Sequence, residues 1–97
     1  FRTYNLAVEF YHLTQKLELK DPLRDQLTRA ASSVVLNLAE GSGRFSTKDK
    51  RRFFHMAFGS LRECQAVLDL NYFQNSECWI LADRLGASLY CLIKNAR

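Results

Sequence analysis

Apolar residues recur every three or four positions along most of the chain, which is the spacing that lines one face of an α-helix. Three breaks interrupt this pattern, at Asp21-Pro22, at Gly41-Ser42-Gly43 and at Asn75-Ser76. These breaks divide the chain into four helical stretches, which we predict at residues 3–19, 22–41, 47–73 and 76–96. No strand is predicted.

Each predicted helix carries one apolar stripe that can face a shared core. Connections of about two to six residues bring each helix back beside its predecessor. The pattern therefore predicts one all-α domain over residues 1–97, an antiparallel up-down-up-down four-helix bundle. The four stripes are Leu6, Phe10, Leu13 and Leu17; Leu23, Leu27, Ala31, Val34 and Leu38; Phe54, Ala57, Leu61, Cys64, Leu68 and Tyr72; and Cys78, Leu81, Leu85, Leu89 and Leu92.

Particular residues at the helix ends support these boundaries. Asp21 can cap the second helix while Pro22 occupies its first turn, where the missing N–H leaves no hydrogen bond unmade. The hydroxyl of Ser46 can cap the third helix, with Asp49 three residues later in an approximate capping box. Residues 41–43 predict that the second helix ends in a left-handed conformation, which glycine adopts without a Cβ penalty.

Two further glycines, Gly59 and Gly86, lie inside predicted helices. A glycine within a helix destabilises it by about 1 kcal/mol relative to alanine. We therefore expect neighbouring helices to approach closely at both positions.

The first two predicted helices carry apolar surface beyond their core stripes. Tyr4, Ala7, Val8 and Tyr11 project opposite the stripe of the first helix, and Ser32, Leu36 and Ala39 form a mostly uncharged strip on the second. Because contiguous exposed apolar surface usually marks an interface, we predict a homo-oligomer. The alternative is that the bundle splays and buries both faces of its first helix within one chain. The predicted interface residues are Tyr4, Val8, Tyr11 and Leu36.

The charge balance is mildly basic, with 14 Lys and Arg against 10 Asp and Glu, a net charge of +4. It permits a polyanionic partner without requiring one. No apolar run approaches the roughly 20 residues that a membrane span needs, and no export signal is recognisable. We expect a cytoplasmic protein without membrane contact. Its three cysteines all fall in predicted helices, which favours reduced thiols packed as small apolar groups.

The sequence offers little support for metal or catalytic chemistry. Glu9 and His12 form an E-x-x-H pair of the kind that di-iron bundles use, but such a site needs a second pair. The only other histidine, His55, has Arg51 and Arg52 where its carboxylate partner would stand. Zinc and nucleophile signatures are absent as well. We therefore predict no metal, no cofactor and no enzymatic activity.

One face of the third predicted helix is mostly basic. It lies opposite the core stripe and follows the loop that contains Arg44. Such a face either binds phosphates or merely keeps the helix solvated. Phe45 could offer an aromatic face to a base, although folding inward over the helix end is the expectation for this residue. The candidate nucleic-acid-binding residues are Arg44, Lys48, Arg51, Arg52 and Arg62.

The segment from Ala30 to Arg44, AASSVVLNLAEGSGR, resembles the signature of the four helix bundle protein family, also called 23S ribosomal RNA intervening-sequence proteins. Phe53, the run from Ala57 to Leu61 and the run from Leu92 to Lys94 also fit that pattern. The resemblance implies an oligomer, a pentameric ring. A related branch, the accessory variability determinants of diversity-generating retroelements, forms basic rings that work with a reverse transcriptase and nucleic acid.

Two details qualify the resemblance. Family members often carry a proline in the second helix, where this chain has Val34 and Val35, so we expect a straighter helix. Asn37 and Glu40 match family positions, and we interpret them as polar groups that brace the end of the second helix through hydrogen bonds.

Two functional hypotheses follow. The first is a non-catalytic oligomeric scaffold that binds RNA or DNA through phosphates on the basic surface of the second and third helices. The second is a protein–protein interaction module with no nucleic-acid role, possible partners including a reverse transcriptase.

Overall fold

The computed structural model describes residues 1–74 and 76–96, and its regular structure there is entirely helical. The helices are α1 (Arg2–Gln15), α2 (Leu23–Ser42), α3 (Thr47–Leu70) and α4 (Glu77–Asn95). No strand occurs in these two ranges, so the all-α class and the four predicted helices are confirmed. The predicted break at Asn75 lies outside the described residues.

The end of α1 comes earlier than predicted, at Gln15 instead of Leu19. The cause is Arg24, whose guanidinium donates to the carbonyl oxygen of Thr14, at 3.0 Å, and to that of Leu17. The carbonyl oxygen of Thr14 also accepts from the amide of Leu17 at 3.3 Å, so Arg24 adds a second donor there and supplies one to the carbonyl of Leu17 beyond the helix end. Leu17 and Leu19 still pack against the core from the connecting segment.

The end of α3 also differs from the prediction, at Leu70 instead of residue 73. Tyr72 takes a left-handed conformation with φ of 60°, which turns the chain out of the helix. The side chain of Tyr72 is 89% exposed, so its predicted place in the core stripe is wrong. The side-chain amide of Asn71 donates from Nδ2 to the carbonyl oxygen of Val67 at 2.9 Å and helps to close the helix.

The end of α2 corrects the prediction for its glycines. The helix continues through Ser42, and the Gly43 cap has φ of −89°, so the left-handed termination is wrong. The glycine at position 41 is needed because α3 packs closely against α2 there. A Cβ atom there would lie 2.6 Å from Cε1 of Phe54 and 3.0 Å from Cβ of Phe53, because α3 crosses directly over this position.

Side-chain caps fix the starts of α3 and α4. The Ser46 hydroxyl accepts from the amide of Asp49 at 3.1 Å, which confirms the predicted cap of α3. Ser76 caps α4 in the same way. Asp21 accepts from the amide of Asp25 at 3.2 Å, although Pro22 is the residue that precedes α2.

One apolar core lies between the helices. α1 contacts α2 and α4, and α3 contacts the same two helices, whereas the diagonal pairs have no described Cα atoms within 8 Å. The predicted stripes supply most of this core, with Leu13, Leu17, Leu23 and Leu92 only half-buried at its edge. None of the described helices combines the length and apolarity that crossing a membrane requires. The large side chains that are fully buried include Phe10, Leu27, Leu38, Leu61, Leu68, Leu85 and Leu89.

The other two helical glycines do not mark close helix approach. Nothing lies within 4 Å of a Cβ atom placed on Gly59, so the prediction there is wrong. At Gly86 the nearest atom is Cδ2 of Leu61 at 3.6 Å, an ordinary contact that alanine would tolerate. The close crossing in this bundle is at Gly41.

We expect Gly41→Ala to destabilise the fold by about 1–3 kcal/mol, the usual effect of overpacking. The added methyl group meets the ring of Phe54, which is 4% exposed and packed in the core. Urea unfolding followed by circular dichroism measures the change. As a control, Gly59→Ala should raise stability by about 0.5–1 kcal/mol because helix propensity improves in open space. Unchanged stability in Gly41→Ala would contradict this account of the crossing.

Candidate nucleic-acid interface

The basic side chains at the start of α3 face solvent because the core takes the other side of the helix. Phe54 and Ala57 are buried, which turns Lys48, Arg51 and Arg52 outward, where all three are exposed. The predicted orientation of these three cations is therefore confirmed. His55 is exposed on the same side.

Phe53 organises two of the cations. The guanidinium carbon of Arg44 lies 4.7 Å from the centre of the Phe53 ring, and that of Arg52 lies 4.4 Å from it. Cations at these distances are attracted to the face of an aromatic ring. Arg44 also pairs with Glu40 at 3.0 Å, and Arg52 with Asp49 at 3.8 Å. Both guanidinium groups are thus held in place and partly neutralised.

The other two cations are less constrained. Lys48 makes no ion pair with any carboxylate of the described residues. Arg51 has one long hydrogen bond, 3.5 Å, to the carbonyl oxygen of Ala96. Both belong to the first turns of α3, where the helix dipole is positive and favours anions. We call Arg44, Lys48, Arg51 and Arg52 the basic cluster.

Arg62, the fifth predicted residue, lies apart from the basic cluster. It is ten positions after Arg52 on α3, about 15 Å further along the helix axis. Its guanidinium carbon is 4.8 Å from the centre of the Phe58 ring, and it donates to Oε1 of Gln65 at 3.0 Å. The structure brings together four of the five candidate residues and separates Arg62 from them.

Phe45 does not fold inward over the end of α3, which corrects the expectation for this residue. Its side chain is 102% exposed. An apolar residue just before an N-cap usually packs against the fourth residue of the helix. That fourth residue is Lys50, so Phe45 has no apolar partner there.

Most of the predicted interface residues line one groove between α1 and α2. Val8, Tyr11 and Leu36 share it with His12, Ser32 and Val35, and its volume is about 280 Å³. We call these six residues the apolar groove. Leu36 is 66% exposed.

Tyr4 is not part of the apolar groove. It is half-buried, and its ring centre lies 6.1 Å from that of Phe1. Ala7 is fully buried, so much of the second face of α1 is covered within one chain. Ala7 is therefore covered within one chain, as the alternative to an oligomer predicted. The apolar surface left in water is smaller than the sequence suggests.

The family model of the 23S rRNA-intervening sequence proteins matches residues 2–85 of the 97. The chain belongs to this family. The matched region contains the basic cluster and the apolar groove completely. No curated protein and no solved structure matches the chain.

Two residues of the family signature have the bracing role that the sequence indicates. The Asn37 amide donates to the carbonyl oxygen of Ser33 at 2.9 Å and to its hydroxyl at 3.0 Å. The Ser33 hydroxyl is in turn 2.9 Å from that of Ser60, which links α2 to α3. Glu40 braces the end of α2 through its pair with Arg44.

Groups that could hold a metal ion or act as nucleophiles are sparse. The described residues contain no group of three or more His, Cys, Asp or Glu side chains placed to bind a metal, and Glu9 and His12 are both exposed. Burial raises the pKa of the Cys64 thiol to about 12 and that of Cys78 to about 11. Cys91 is exposed, so the prediction of packed thiols holds for two cysteines and is wrong for Cys91.

We expect a thiol reagent at pH 8 to label Cys91 rapidly in the folded protein. Cys64 and Cys78 should be labelled only after unfolding. The thiolate is the reactive form, and the raised pKa of each buried thiol keeps it protonated. Counting labelled thiols with and without denaturant measures this. Cys91→Ser should abolish the fast phase. Rapid labelling of more than one thiol in the folded chain would contradict the burial of Cys64 and Cys78.

The raised pKa values of Cys64 and Cys78 make the stability of the fold depend on pH. Each folded pKa lies above the ordinary value of 9.0, so both thiols bind protons more tightly in the folded state. Their contribution to stability is complete below about pH 9 and is lost as the pH rises toward 11 and 12. The urea concentration at the midpoint of unfolding should therefore decrease as the pH rises from about 9 to 12. The decrease should be smaller in Cys64→Ala, which lacks one of the two thiols.

Proposed function

We propose that this member of the 23S rRNA-intervening sequence protein family is a non-catalytic, oligomeric scaffold that binds RNA or DNA through phosphates. The observation that carries the proposal is the position of Lys48 and Arg51. Two exposed cations without a carboxylate partner in the described residues stand at the positive end of α3, beside Arg44 and Arg52.

This placement is unfavourable in the free protein. A cation near a helix N-terminus is destabilising by about 0.3–1 kcal/mol, and the charge of Asp49 in the first turn offsets only part of that because it is shared with Arg52. A phosphate held between Lys48 and Arg51 would remove the repulsion and gain from the helix dipole. The arrangement therefore favours an anionic ligand over a face that is merely solvated.

The other cations set the expected character of the binding. Arg44 and Arg52 are already engaged by Glu40 and Asp49, so a phosphate must compete with those carboxylates. Arg62 offers a second contact about 15 Å along α3, within reach of the same strand. Because contacts to phosphates carry no direct sequence information, little base preference is expected from these residues.

For the fold we propose the up-down-up-down arrangement. Side-chain bonds support it, because they join early residues of one helix to late residues of the helix it contacts. The hydroxyls of Thr3 and Ser88 are 2.7 Å apart, and Gln26 donates to Glu63 at 3.4 Å.

For assembly we propose a homo-oligomer that forms through the apolar groove, a pentameric ring as the resemblance implies. A ring would repeat the basic cluster on every subunit and raise avidity for a polyanion.

The exposed groove also supports the second function, a protein-interaction module that docks a partner such as a reverse transcriptase. Salt distinguishes the two functions. Phosphate binding weakens steeply as salt rises, whereas docking on an apolar surface changes little.

We expect the double variant Lys48→Glu/Arg51→Glu to bind a generic RNA or DNA far more weakly than wild type. The log–log salt slope should fall by about one for each phosphate contact removed. Lys16→Glu/Lys20→Glu is the matched control, since it changes net charge equally within the α1–α2 connection. Fluorescence anisotropy at several salt concentrations provides the measurement.

Two results would contradict the nucleic-acid proposal. One is a wild-type protein that fails to bind nucleic acid even at low salt. The other is equal weakening in both double variants, which would indicate a response to net charge alone. Either result leaves the protein-interaction module as the better function.

We expect the wild-type protein to scatter light as a species several times the 11.3 kDa chain mass. Leu36→Glu and Tyr11→Glu should shift it toward monomer, because each places a charge in the apolar groove. Leu70→Glu is the matched control, since Leu70 is 68% exposed but lies outside the groove. A monomeric wild type at micromolar concentration would disprove the assembly.

A further inference from the structure

Phe45 is the most exposed of the large apolar side chains in the described residues, at 102%. A phenyl ring in this position contributes nothing to the core of its own chain. It lies between Arg44 and the capped start of α3, next to the basic cluster.

The backbone on both sides of Phe45 is held firmly. The amide of Arg44 donates to the carbonyl oxygen of Gly41 at 3.1 Å, and its side chain is fixed by Glu40 and the Phe53 ring. After Phe45, the hydroxyl of Ser46 caps α3. The ring therefore projects from a short connection of defined conformation, so a ligand would lose little of its binding energy to ordering the loop.

We propose that Phe45 is a stacking platform for an unpaired nucleobase, while Lys48 and Arg51 hold the adjoining phosphates. The inference rests on the proposed function and narrows it to single-stranded nucleic acid or unpaired loops. Exposed aromatic rings beside a basic groove are what single strands need, since every base offers a face for stacking. A duplex keeps its bases stacked inside and cannot use the ring.

A second copy of the chain fits Phe45 less well. The apolar groove is the surface through which we propose that copies assemble, and none of its six lining residues is acidic. Inserting Phe45 there would carry Lys48 and Arg51 toward an apolar surface without a carboxylate to pair with. Burying unpaired cations is strongly unfavourable, whereas phosphates on a strand would neutralise them.

The test compares single-stranded RNA and DNA oligonucleotides with duplexes carrying the same number of phosphates, all at one low salt concentration. Phe45→Ala should weaken binding to the single strands about 5- to 150-fold, the usual effect of losing one stacked base. Duplex affinity and the salt slope should not change, because the cations remain. Phe45→Trp should retain single-strand binding, and Tyr72→Ala, which removes another exposed aromatic ring at the far end of α3, should have no effect.

The outcomes separate this inference from the proposed function. If Lys48→Glu/Arg51→Glu loses binding while Phe45→Ala does not, or if Phe45→Ala weakens duplexes equally, the stacking platform is wrong and the phosphate site stands. If wild type binds no nucleic acid, both are wrong. A smaller oligomer in Phe45→Ala by light scattering would instead place the ring in a subunit contact and overturn the inference.

Discussion

The arrangement of the bundle depends on how closely α3 crosses the end of α2 at Gly41. The ring of Phe54 occupies the volume that any side chain at position 41 would need. This contact brings Phe54 into the core, and it fixes the rotation of the helix about its axis. Everything that α3 presents to solvent follows from that rotation.

Phe53 shows the consequence most directly. Two adjacent phenylalanines in a helix are about 100° apart, so with Phe54 in the core Phe53 lies at its edge, against the surface. There it is covered by Arg44 from the α2–α3 connection and by Arg52, the residue before it on α3. The apolar crossing thus gathers positive charge around the α2–α3 connection, where our proposed ligand binds.

The spacing of apolar residues was sufficient to predict four helices and no strand in the described residues, and the cap at Ser46 is a local signal. It could not predict the early end of α1, which depends on Arg24 reaching back from the next helix.

For the candidate site, the outward orientation of Lys48, Arg51 and Arg52 was predictable from the helical period. The joint contact of Arg44 and Arg52 with Phe53 was not, since it depends on the angle between two helices. The exposure of Phe45 has a local signal in the sequence, because Lys50 occupies the position where an apolar partner would stand.

The surface that we assign to assembly lies on α1 and α2, and the one that we assign to phosphate binding lies at the α2–α3 connection and the start of α3. Leu36 of the apolar groove lies about 9 Å along the axis from Ser42, where α2 ends, and Arg44 follows in the connection. If copies that meet through the groove bring their basic clusters within a Debye length, about 10 Å at 0.1 M salt, the positive charges would repel one another. A polyanion that bridges neighbouring clusters would remove this repulsion. Since linkage is reciprocal, the ligand would then strengthen the assembly by the same factor by which the assembly strengthens ligand binding.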